Sequence, residues 1–303
     1  MIDYEFLLTD RISKIKSIND RYDLSNKAYL SFSGGKDSTV LHYLIDEALP
    51  GNSIPRVYFN TGIEYKAVLN YVKSLSEKDE RIIIVNSDVN IKSMLEEVGY
   101  PFKSKEHSLY LSVYQNSGIS KSVKKYLERT DTRFQCPDKL KYQFTDDFKL
   151  KISNKCCFKL KKEIGEKWSA ENNRNITITG MRKGEGGLRS EIKGCTIFAD
   201  DDCKVLKKFH PLLPIESQWV EEFIKQNDIK LCELYYPPYN FQRTGCVCCP
   251  YAIDLQEQLD KLALLLPNER KRAEIIWKPV YEEYRRIGYR LDTRPNLFDA
   301  LVK

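Results

Sequence analysis

Short hydrophobic runs alternate with longer amphipathic segments through the first two thirds of the chain. The runs over residues 28–32, 57–59, 82–85 and 176–179 are rich in β-branched and aromatic residues, which favours buried strands. The segments over 39–49 and 66–76 carry apolar residues at helical spacing. Strands that alternate with helices form parallel sheets covered on both faces, so the pattern predicts an α/β fold with a doubly wound, mostly parallel sheet.

Helical patterns dominate both ends of the chain. Residues 1–24 place apolar side chains at helical spacing and predict an N-terminal packing helix, and residues 253–303 predict a helical C-terminal unit. Between them, residues 25–252 form one predicted domain. Inside it, the stretch near 100–147 is polar, basic and rich in tyrosine without a clean period, which predicts an insertion or lid.

The composition is typical of a globular protein with a sizeable core, because 42% of the 303 residues are hydrophobic and 30% are charged. The sequence contains no apolar run near the ~20 residues that span a bilayer, and no secretory signal pattern. We therefore expect a cytoplasmic protein without a membrane partner. The formal net charge of +6 suits anionic ligands such as nucleotides or RNA, and does not choose among them.

A glycine-rich loop lies between the first predicted strand and the helix that follows it. Its residues are Ser33, Gly34, Gly35, Lys36, Asp37 and Ser38. The glycines let backbone N–H groups approach an anion, the helix N-terminus adds partial positive charge, and Lys36 adds a full charge. Ser33 and Ser38 can donate hydroxyls to phosphate, while Asp37 can cap the helix or help hold Mg²⁺. The loop predicts a nucleotide phosphate site, and the alternative is an ordinary strand-to-helix turn.

Two further polar loops follow predicted strands, where parallel sheets commonly bind ligands. Their candidate residues are Thr61, Gly62 and Glu64 in the first loop, and Arg182, Glu185 and Arg189 in the second. Arg182 and Arg189 could reach the same anion, and a solvated basic loop is the alternative. Thr61 alternatively caps a helix. Both loops are well placed to contact a nucleotide bound at the glycine-rich loop.

Five of the nine cysteines fall into two groups. Cys156 and Cys157 are adjacent, and Cys246, Cys248 and Cys249 follow after about 90 residues. In a chain without an export signal, this grouping argues for metal or redox chemistry rather than disulfides. Two pairs of thiolates can bind zinc or an iron–sulfur cluster. Adjacent side chains diverge, which favours a 4Fe-4S cluster, in which each sulfur binds its own iron, over a single zinc ion.

The glycine-rich loop resembles the pyrophosphate loop of the PP-loop (adenine nucleotide alpha hydrolase-like) superfamily. In chain order, the candidate segments resemble the iron–sulfur-containing type of the phosphoadenosine phosphosulfate reductase family over about residues 25–252. Asn60 and Gly186 stand where that family usually has aspartate and serine. The resemblance implies that the three loops bind an adenine nucleotide such as ATP. It also implies the following cluster ligands: Cys156, Cys157, Cys246 and Cys249.

True sulfonucleotide reductases use a cysteine thiolate beyond the cluster ligands, and in this sequence no cysteine follows Cys249. We therefore expect an enzyme that cleaves ATP to AMP and pyrophosphate and so activates an acceptor for sulfur transfer. The resemblance implies Lys36, Asp37 and Arg182 as catalytic residues, Mg²⁺ as a cofactor, tRNA or DNA as the acceptor, and a sulfur donor protein. One alternative is an adenylyl-sulfate or phosphoadenylyl-sulfate reductase that forms sulfite with an electron donor protein. A second is an inactive nucleotide-binding partner subunit.

Lysines are concentrated over residues 151–167 and recur near Tyr126 and Arg129. Basic residues interleaved with tyrosines can neutralise phosphates and stack bases. A run of like charges is more commonly a solvated helix face. The sequence leaves both interpretations open.

Overall fold

The structure is a computed structural model that describes residues 4–129, 135–185 and 191–293. Within these ranges, the helices lack the combination of length and apolar character needed to cross a membrane. The chain divides into two compact units. The first consists of Met1–Ser87 and Glu163–Gly245, and the second of Asp88–Lys162 and Cys246–Lys303. The two units are defined by contacts, and each combines separate stretches of the chain. The domain boundaries predicted from the sequence, at residues 24/25 and 252/253, stay a prediction.

A six-stranded sheet forms the centre of the first unit. Its strands are β1 Ala28–Ser31, β2 Arg56–Asn60, β3 Ile82–Asn86, β4 Ile176–Ile178, β5 Thr196–Phe198 and β6 Leu206–Phe209. Their order in space is β3-β2-β1-β4-β6-β5, and every neighbouring pair is parallel except the antiparallel pair of β5 and β6. The predicted α/β fold with a mostly parallel sheet is confirmed.

Strand β1 lies at the point where the order of the strands reverses. It pairs with β2 on one side, where Leu30 faces Arg56, and with β4 on the other, where Leu30 faces Ile178. Leu30, Val57 and Ile178 are buried in the core, as expected for strands covered on both faces. Because β1 and β4 are parallel neighbours, the loops that follow them leave the sheet side by side, at the position where open α/β sheets bind ligands.

Helices are numbered in chain order, and among the described residues six of them belong to the first unit. These are α1 Tyr4–Tyr22, α2 Leu24–Lys27, α3 Lys36–Ala48, α4 Lys66–Ser76, α8 Glu163–Glu171 and α9 Ser217–Gln226. The N-terminal helix α1 buries Ile15 and Ile18, in agreement with its predicted apolar face. Helix α3 buries Val40, Leu41 and Leu44, so its N-terminus is firmly positioned after β1.

The second unit is mainly helical. Its helices are α5 Ile91–Val98, α6 Lys105–Ser117, α7 Lys121–Leu127, α10 Leu255–Leu265, α11 Pro267–Ile276 and α12 Lys278–Ile287. It also contains a 3₁₀ segment at Asp138–Phe144 and a π-helical turn at Phe158–Lys162. The C-terminal helices follow the helical spacing predicted from residue 253 onward.

The stretch near 100–147, which lacked a clean hydrophobic period, contains α6 and α7 in this structure. Ser104 and Ser120 cap these helices by accepting hydrogen bonds from backbone N–H groups. His107 occupies a fully buried core position: Nδ1 is 2.9 Å from the Tyr126 hydroxyl and Nε2 is 2.8 Å from Gln143 Oε1. Burial lowers the pKa of His107 to about 3, so the ring is neutral. A core built on such polar residues explains the weak periodicity.

Candidate functional site

The glycine-rich loop after β1 is folded against helix α4. Gly34 has a φ of 67°, and a Cβ at this position would lie 2.7 Å from Val72 Cγ2 and 2.9 Å from Val68 Cγ1. Both the backbone conformation and the lack of space require glycine here. The close contact fixes the start of the loop beside the sheet.

Hydroxyl groups within the loop hold its shape. Ser33 Oγ and Ser38 Oγ are 2.9 Å apart, and Ser38 Oγ donates to the Gly35 carbonyl at 2.9 Å. Gly35, and not Asp37, stands at the N-cap of α3. The two serines predicted to bind phosphate are therefore ordered by each other beside the first N–H groups of the helix.

The loop after β4 meets the glycine-rich loop. Arg182 Nε donates to Asp37 Oδ1 at 2.9 Å, and Arg182 Nη1 donates to Ser217 Oγ of α9 at 3.2 Å. A Cβ on Gly180 would lie 2.8 Å from the Asp37 carbonyl oxygen, so only glycine permits this approach of two backbones. The predicted residues Lys36, Asp37 and Arg182 thus lie at adjoining loops of the same unit.

Two residues of this region were missed by the sequence interpretation. The Tyr235 hydroxyl accepts a hydrogen bond from the Lys36 backbone N–H at 3.0 Å and lies 2.9 Å from Thr244 Oγ1. Burial raises the pKa of Tyr235, so the phenol is protonated at neutral pH. No local pattern marks Tyr235, because its partner Lys36 lies 199 residues earlier in the chain.

These loops enclose a cavity of about 640 Å³ in the first unit. The residues that line it and are used here are Ser33, Gly35, Lys36, Asp37, Ser38, Arg182, Ser217, Tyr235 and Thr244. The Lys36 ammonium lies 3.7 Å from Glu221 Oε1 in the same lining. The volume is within the ~300–1,000 Å³ typical of small-molecule sites. Backbone N–H groups, hydroxyls and three cationic side chains, those of Lys36, Arg182 and Arg243, give this cavity the chemistry of an anion site.

The loop after β2 forms a separate turn. The Thr61 hydroxyl donates to the Glu64 carboxylate, with Oγ1 2.8 Å from Oε2, and both residues are buried. Thr61 does not cap α4, whose N-cap is Tyr65. Among the described residues, the lining of the 640 Å³ cavity does not include Thr61, Gly62 or Glu64. Their role in nucleotide binding stays a prediction.

Two further predicted residues belong to the segment after β4, Glu185 and Arg189. Glu185 ends the short 3₁₀ turn Lys183–Glu185. Arg189 lies outside the described residues. The proposed nucleotide contacts of both side chains stay predictions.

In the second unit, the four predicted ligand cysteines influence one another electrostatically. Cys156 Sγ lies 4.0 Å from Cys157 Sγ. The hydrogen bond from Cys156 lowers the pKa of the Cys157 thiol, and the charges of Lys105 and Lys161 lower it further. Burial, followed by the negative charge of Cys246, raises the pKa of Cys249. Fully buried Cys248 lies between these two cysteines in the sequence.

Aromatic residues of the C-terminal helices hold the backbone of the second cysteine group. Trp277 Nε1 donates to the Val247 carbonyl at 2.9 Å, and the Tyr281 hydroxyl donates to the carbonyl of Cys248. The Tyr284 hydroxyl donates to the Pro250 carbonyl at 2.9 Å. These three donors were not recognised in the sequence, where they look like ordinary apolar positions of amphipathic helices.

The spacing of the sulfurs tests which metal group the cysteines could hold. A tetrahedral zinc site with ~2.3 Å Zn–S bonds would bring four sulfurs within about 4 Å of one another. Within the described chain, the cysteines form no group of three with sulfurs inside 4.8 Å. The pair Cys156 and Cys157, with sulfurs 4.0 Å apart, is close enough for one metal ion, so the sulfur positions do not choose between zinc and an iron–sulfur cluster.

One group in the first unit does bring metal-type ligands close together, namely His42, Asp46 and Asp79. Arg81 donates to both carboxylates at 2.7–2.8 Å, and Arg56 Nη2 donates to Asp46 Oδ1 at 2.6 Å. Burial, followed by the charge of Arg56, lowers the pKa of His42 to about 4. The arginines already neutralise the carboxylates, so this group is a partly buried ion-pair network.

The predicted nucleotide-loop residues and the predicted ligand cysteines all lie within the residues matched by one family model. The family model of the phosphoadenosine phosphosulfate reductase domain matches residues 27–252. An uncharacterized protein of Methanocaldococcus jannaschii is 24% identical over 265 residues, which cover 84% of this chain and 51% of that protein. The chain therefore spans about half the length of this curated relative.

Solved structures give weaker similarities. The phosphoadenylyl-sulfate reductase of Candida auris, in a phosphate complex, is 14% identical with a TM-score of 0.42, covering 77% of this chain and 87% of that chain. The U34-tRNA thiolase NcsA of Methanococcus maripaludis, solved with its 4Fe-4S cluster, is 16% identical with a TM-score of 0.38 and covers 97% and 82%. At these scores the likeness decides nothing about activity.

Proposed function

The chain belongs to the phosphoadenosine phosphosulfate reductase domain family, and from that premise we propose that it cleaves ATP to AMP and pyrophosphate to activate an acceptor for sulfur transfer. One observation carries the proposal: the loops after β1 and β4 meet at a cavity, with Arg182 Nε 2.9 Å from Asp37 Oδ1. Two cationic side chains beside a helix N-terminus suit a pyrophosphate group.

In the proposed first step, an oxygen of the acceptor attacks the α-phosphorus of ATP. The bond between that phosphorus and the bridging oxygen to the β-phosphate breaks, and pyrophosphate leaves with the electron pair. The amides of the glycine-rich loop and the Lys36 ammonium stabilise the charge that develops on pyrophosphate. Arg182 offsets charge at the reacting phosphate, and Asp37 helps to hold Mg²⁺.

In the proposed second step, sulfur at the oxidation level of sulfide attacks the acceptor atom that carries the adenylated oxygen. The bond from that atom to oxygen breaks, AMP leaves, and the acceptor keeps the sulfur. Replacement of oxygen by sulfur needs no net oxidant or reductant, because the proposed sulfur donor protein delivers sulfur that is already at the oxidation level of sulfide. The adenylate formed in the first step makes the oxygen a good leaving group.

The thiolates of Cys156, Cys157, Cys246 and Cys249 are the proposed ligands of a 4Fe-4S cluster in the second unit. A cluster is favoured over a single zinc ion because it offers a separate iron to each of the adjacent residues Cys156 and Cys157. When bound, such a cluster supplies iron that can carry or activate sulfide. The hydrogen bonds from Trp277 and Tyr281 to the backbone around Cys248 keep the second cysteine group in place.

The test is pyrophosphate release by the anaerobically purified protein with magnesium-ATP and total RNA or DNA as the source of acceptor. Lys36→Ala should lower the rate about 10²–10³-fold, as expected when one preorganised group that stabilises the leaving charge is removed. Lys73→Ala, an exposed lysine on α4, is the matched control and should retain the rate. Release by Lys36→Ala at the wild-type rate would exclude the proposal.

The match to the reductase domain over residues 27–252 favours a second function, which is reduction of adenylyl sulfate or phosphoadenylyl sulfate to sulfite. This reaction needs a cysteine nucleophile and an electron donor of the thioredoxin type. The measurement is sulfite release with each cysteine changed in turn to serine. If no sulfite forms, or if its formation does not depend on any cysteine, the second function is excluded.

A further inference from the structure

The second unit contains an open cavity of about 790 Å³ that the proposed ATP chemistry does not use. Its lining includes four lysines and two aromatic rings, which we call the basic groove: Lys149, Lys151, Lys155, Lys159, Tyr114 and Phe148. All of these residues belong to the same unit as the predicted cluster ligands.

The charge of the groove favours an anionic ligand. Lys149, Lys151 and Lys155 are exposed. Two acidic residues also contribute to the lining, Glu97 and Asp146, so lysines outnumber carboxylates two to one. Asp146 accepts a hydrogen bond from the Tyr114 hydroxyl at 3.3 Å, so this carboxylate already has a partner inside the groove.

The two aromatic rings of the groove are held by other rings. Tyr114 packs against Phe144 with ring centroids 5.7 Å apart, and Phe148 meets Tyr142 edge-on at 5.8 Å. Tyr114 and Phe148 are only half-buried. Rings that are fixed on one side and accessible on the other can stack with nucleobases.

The other lysine-rich stretch lacks this arrangement. Lys121 and Lys125 lie on α7 and are exposed, but Tyr126 on the same helix is only 1% exposed and forms part of the core. Its ring therefore cannot stack on a base. Lysines of the 151–167 stretch contribute to a groove with accessible aromatic rings, whereas the lysines of α7 lie beside a buried ring.

We propose that the basic groove binds single-stranded nucleic acid, with lysines on the phosphates and Tyr114 and Phe148 on the bases. A duplex would hide the base faces, and a purely ionic site would not need the rings. Lys155 and Lys159 flank Cys156 and Cys157 in the sequence, so the strand would bind beside one predicted ligand pair. We further assign the bound strand as the acceptor for sulfur, a step that rests on the proposed function.

The test is fluorescence anisotropy with labelled 12-nucleotide single strands of RNA and DNA, the corresponding duplex DNA, and polyglutamate as a competitor. Binding is measured without ATP over a series of salt concentrations. Lys151 Nζ already donates to the Glu97 carbonyl. Phosphate contacts from Lys149 and Lys155 therefore predict a slope of about −1.4 for log affinity against log salt, because each contact to a single strand contributes roughly 0.7. Duplex and polyglutamate should bind more weakly than either single strand.

Two groove variants and one control separate the contributions. Lys149→Ala/Lys155→Ala should reduce the salt slope by about 1.4, since two phosphate contacts are lost. Phe148→Leu keeps an apolar side chain but removes the stacking face, and should weaken binding about 5- to 150-fold. Lys121→Ala/Lys125→Ala removes the same charge outside the groove and should bind like the wild type.

Equal binding by the wild type and both groove variants overturns the proposal. Polyglutamate that competes as well as RNA or DNA also overturns it and indicates an acidic protein partner. A preference between the RNA and DNA strands identifies the source of the ligand. If the protein binds a strand through the groove but releases no pyrophosphate, the proposed function is overturned and the groove proposal stands. If it releases pyrophosphate but binds the strand independently of the groove residues, the groove proposal is overturned and the proposed function stands.

Discussion

The glycine-rich loop and the second cysteine group are constructed in different ways. The loop takes its shape from residues close together in the chain, such as the hydroxyls of Ser33 and Ser38, 2.9 Å apart. The backbone after Cys246 takes its shape from donors about thirty residues later, including Trp277 Nε1 on the Val247 carbonyl. The shape of the glycine-rich loop itself is specified mainly by local sequence, whereas the backbone of the second cysteine group is specified by long-range hydrogen bonds.

This difference follows from the chemistry of the two sites. An anion is bound by backbone N–H groups at a helix N-terminus, and a short peptide with glycines can present these groups. A set of cysteine ligands must be fixed in position from separate segments, so its backbone carbonyls need partners from elsewhere in the fold. Substitutions of ligand cysteines and of remote hydrogen-bond donors should therefore affect the cysteine site most. Substitutions at close backbone approaches should affect the nucleotide loops most.

The largest expected effect is loss of the metal group when a ligand sulfur is removed. Single Cys→Ser changes at 156, 157, 246 or 249 should each abolish most of the bound iron and acid-labile sulfide, because a cluster needs all four thiolates for stable binding. The measurement is iron and sulfide per chain after anaerobic purification. Cys248→Ser and Cys203→Ser, which is exposed in the first unit, should retain the wild-type content. Full iron content in all four ligand variants would contradict the assignment.

The next effect concerns the close approach of the two nucleotide loops. Gly180→Ala would place a Cβ 2.8 Å from the Asp37 carbonyl oxygen, and backbone atoms cannot move away cheaply. We expect ATP affinity to fall at least about 10-fold and the free energy of unfolding to fall by about 1–3 kcal/mol. Calorimetric titration and urea unfolding provide the two measurements.

Gly184→Ala is the matched control for this change. A Cβ at Gly184 would have no heavy atom within 4 Å among the described residues. Its unfolding free energy should stay within about 0.5 kcal/mol of the wild type. If Gly180→Ala and Gly184→Ala behave alike, the approach of the β4 loop to Asp37 does not matter for the site.

The sequence predicted what depends on local pattern. The strands, the helix after the glycine-rich loop and the α/β fold agree with the structure, because hydrophobic periodicity and glycine placement are local signals. Tyr235 and Tyr281 were missed, because a tyrosine in an amphipathic or irregular segment looks the same whether its hydroxyl meets water or a distant backbone atom. The polar core around His107 likewise concealed the helices of the 100–147 stretch.

A remote donor to the cysteine backbone should have a moderate effect. Tyr281→Phe removes the hydroxyl that donates to the buried Cys248 carbonyl. Loss of this partner should lower the free energy of unfolding by about 1–3 kcal/mol and speed the loss of iron to a chelator. Tyr110→Phe, whose ring stacks on Tyr126 at a centroid distance of 4.6 Å, is the control and should change neither quantity. If Tyr281→Phe changes neither the unfolding free energy nor the rate of iron loss, this long-range hydrogen bond does not stabilise the second cysteine group.

The smallest expected effect tests whether the nucleotide loop also depends on a remote hydroxyl. The Tyr235 hydroxyl accepts the Lys36 N–H at 3.0 Å, at the helix N-terminus where a phosphate oxygen would bind. If phosphate replaces this hydroxyl, Tyr235→Phe removes a competitor worth about 0.5–1.5 kcal/mol and should raise ATP affinity roughly 2- to 10-fold. Tyr236→Phe, next in the chain and exposed, should leave the affinity unchanged. Weaker ATP binding by Tyr235→Phe would mean that the hydroxyl serves the nucleotide directly, and that both sites depend on partners supplied from a distance.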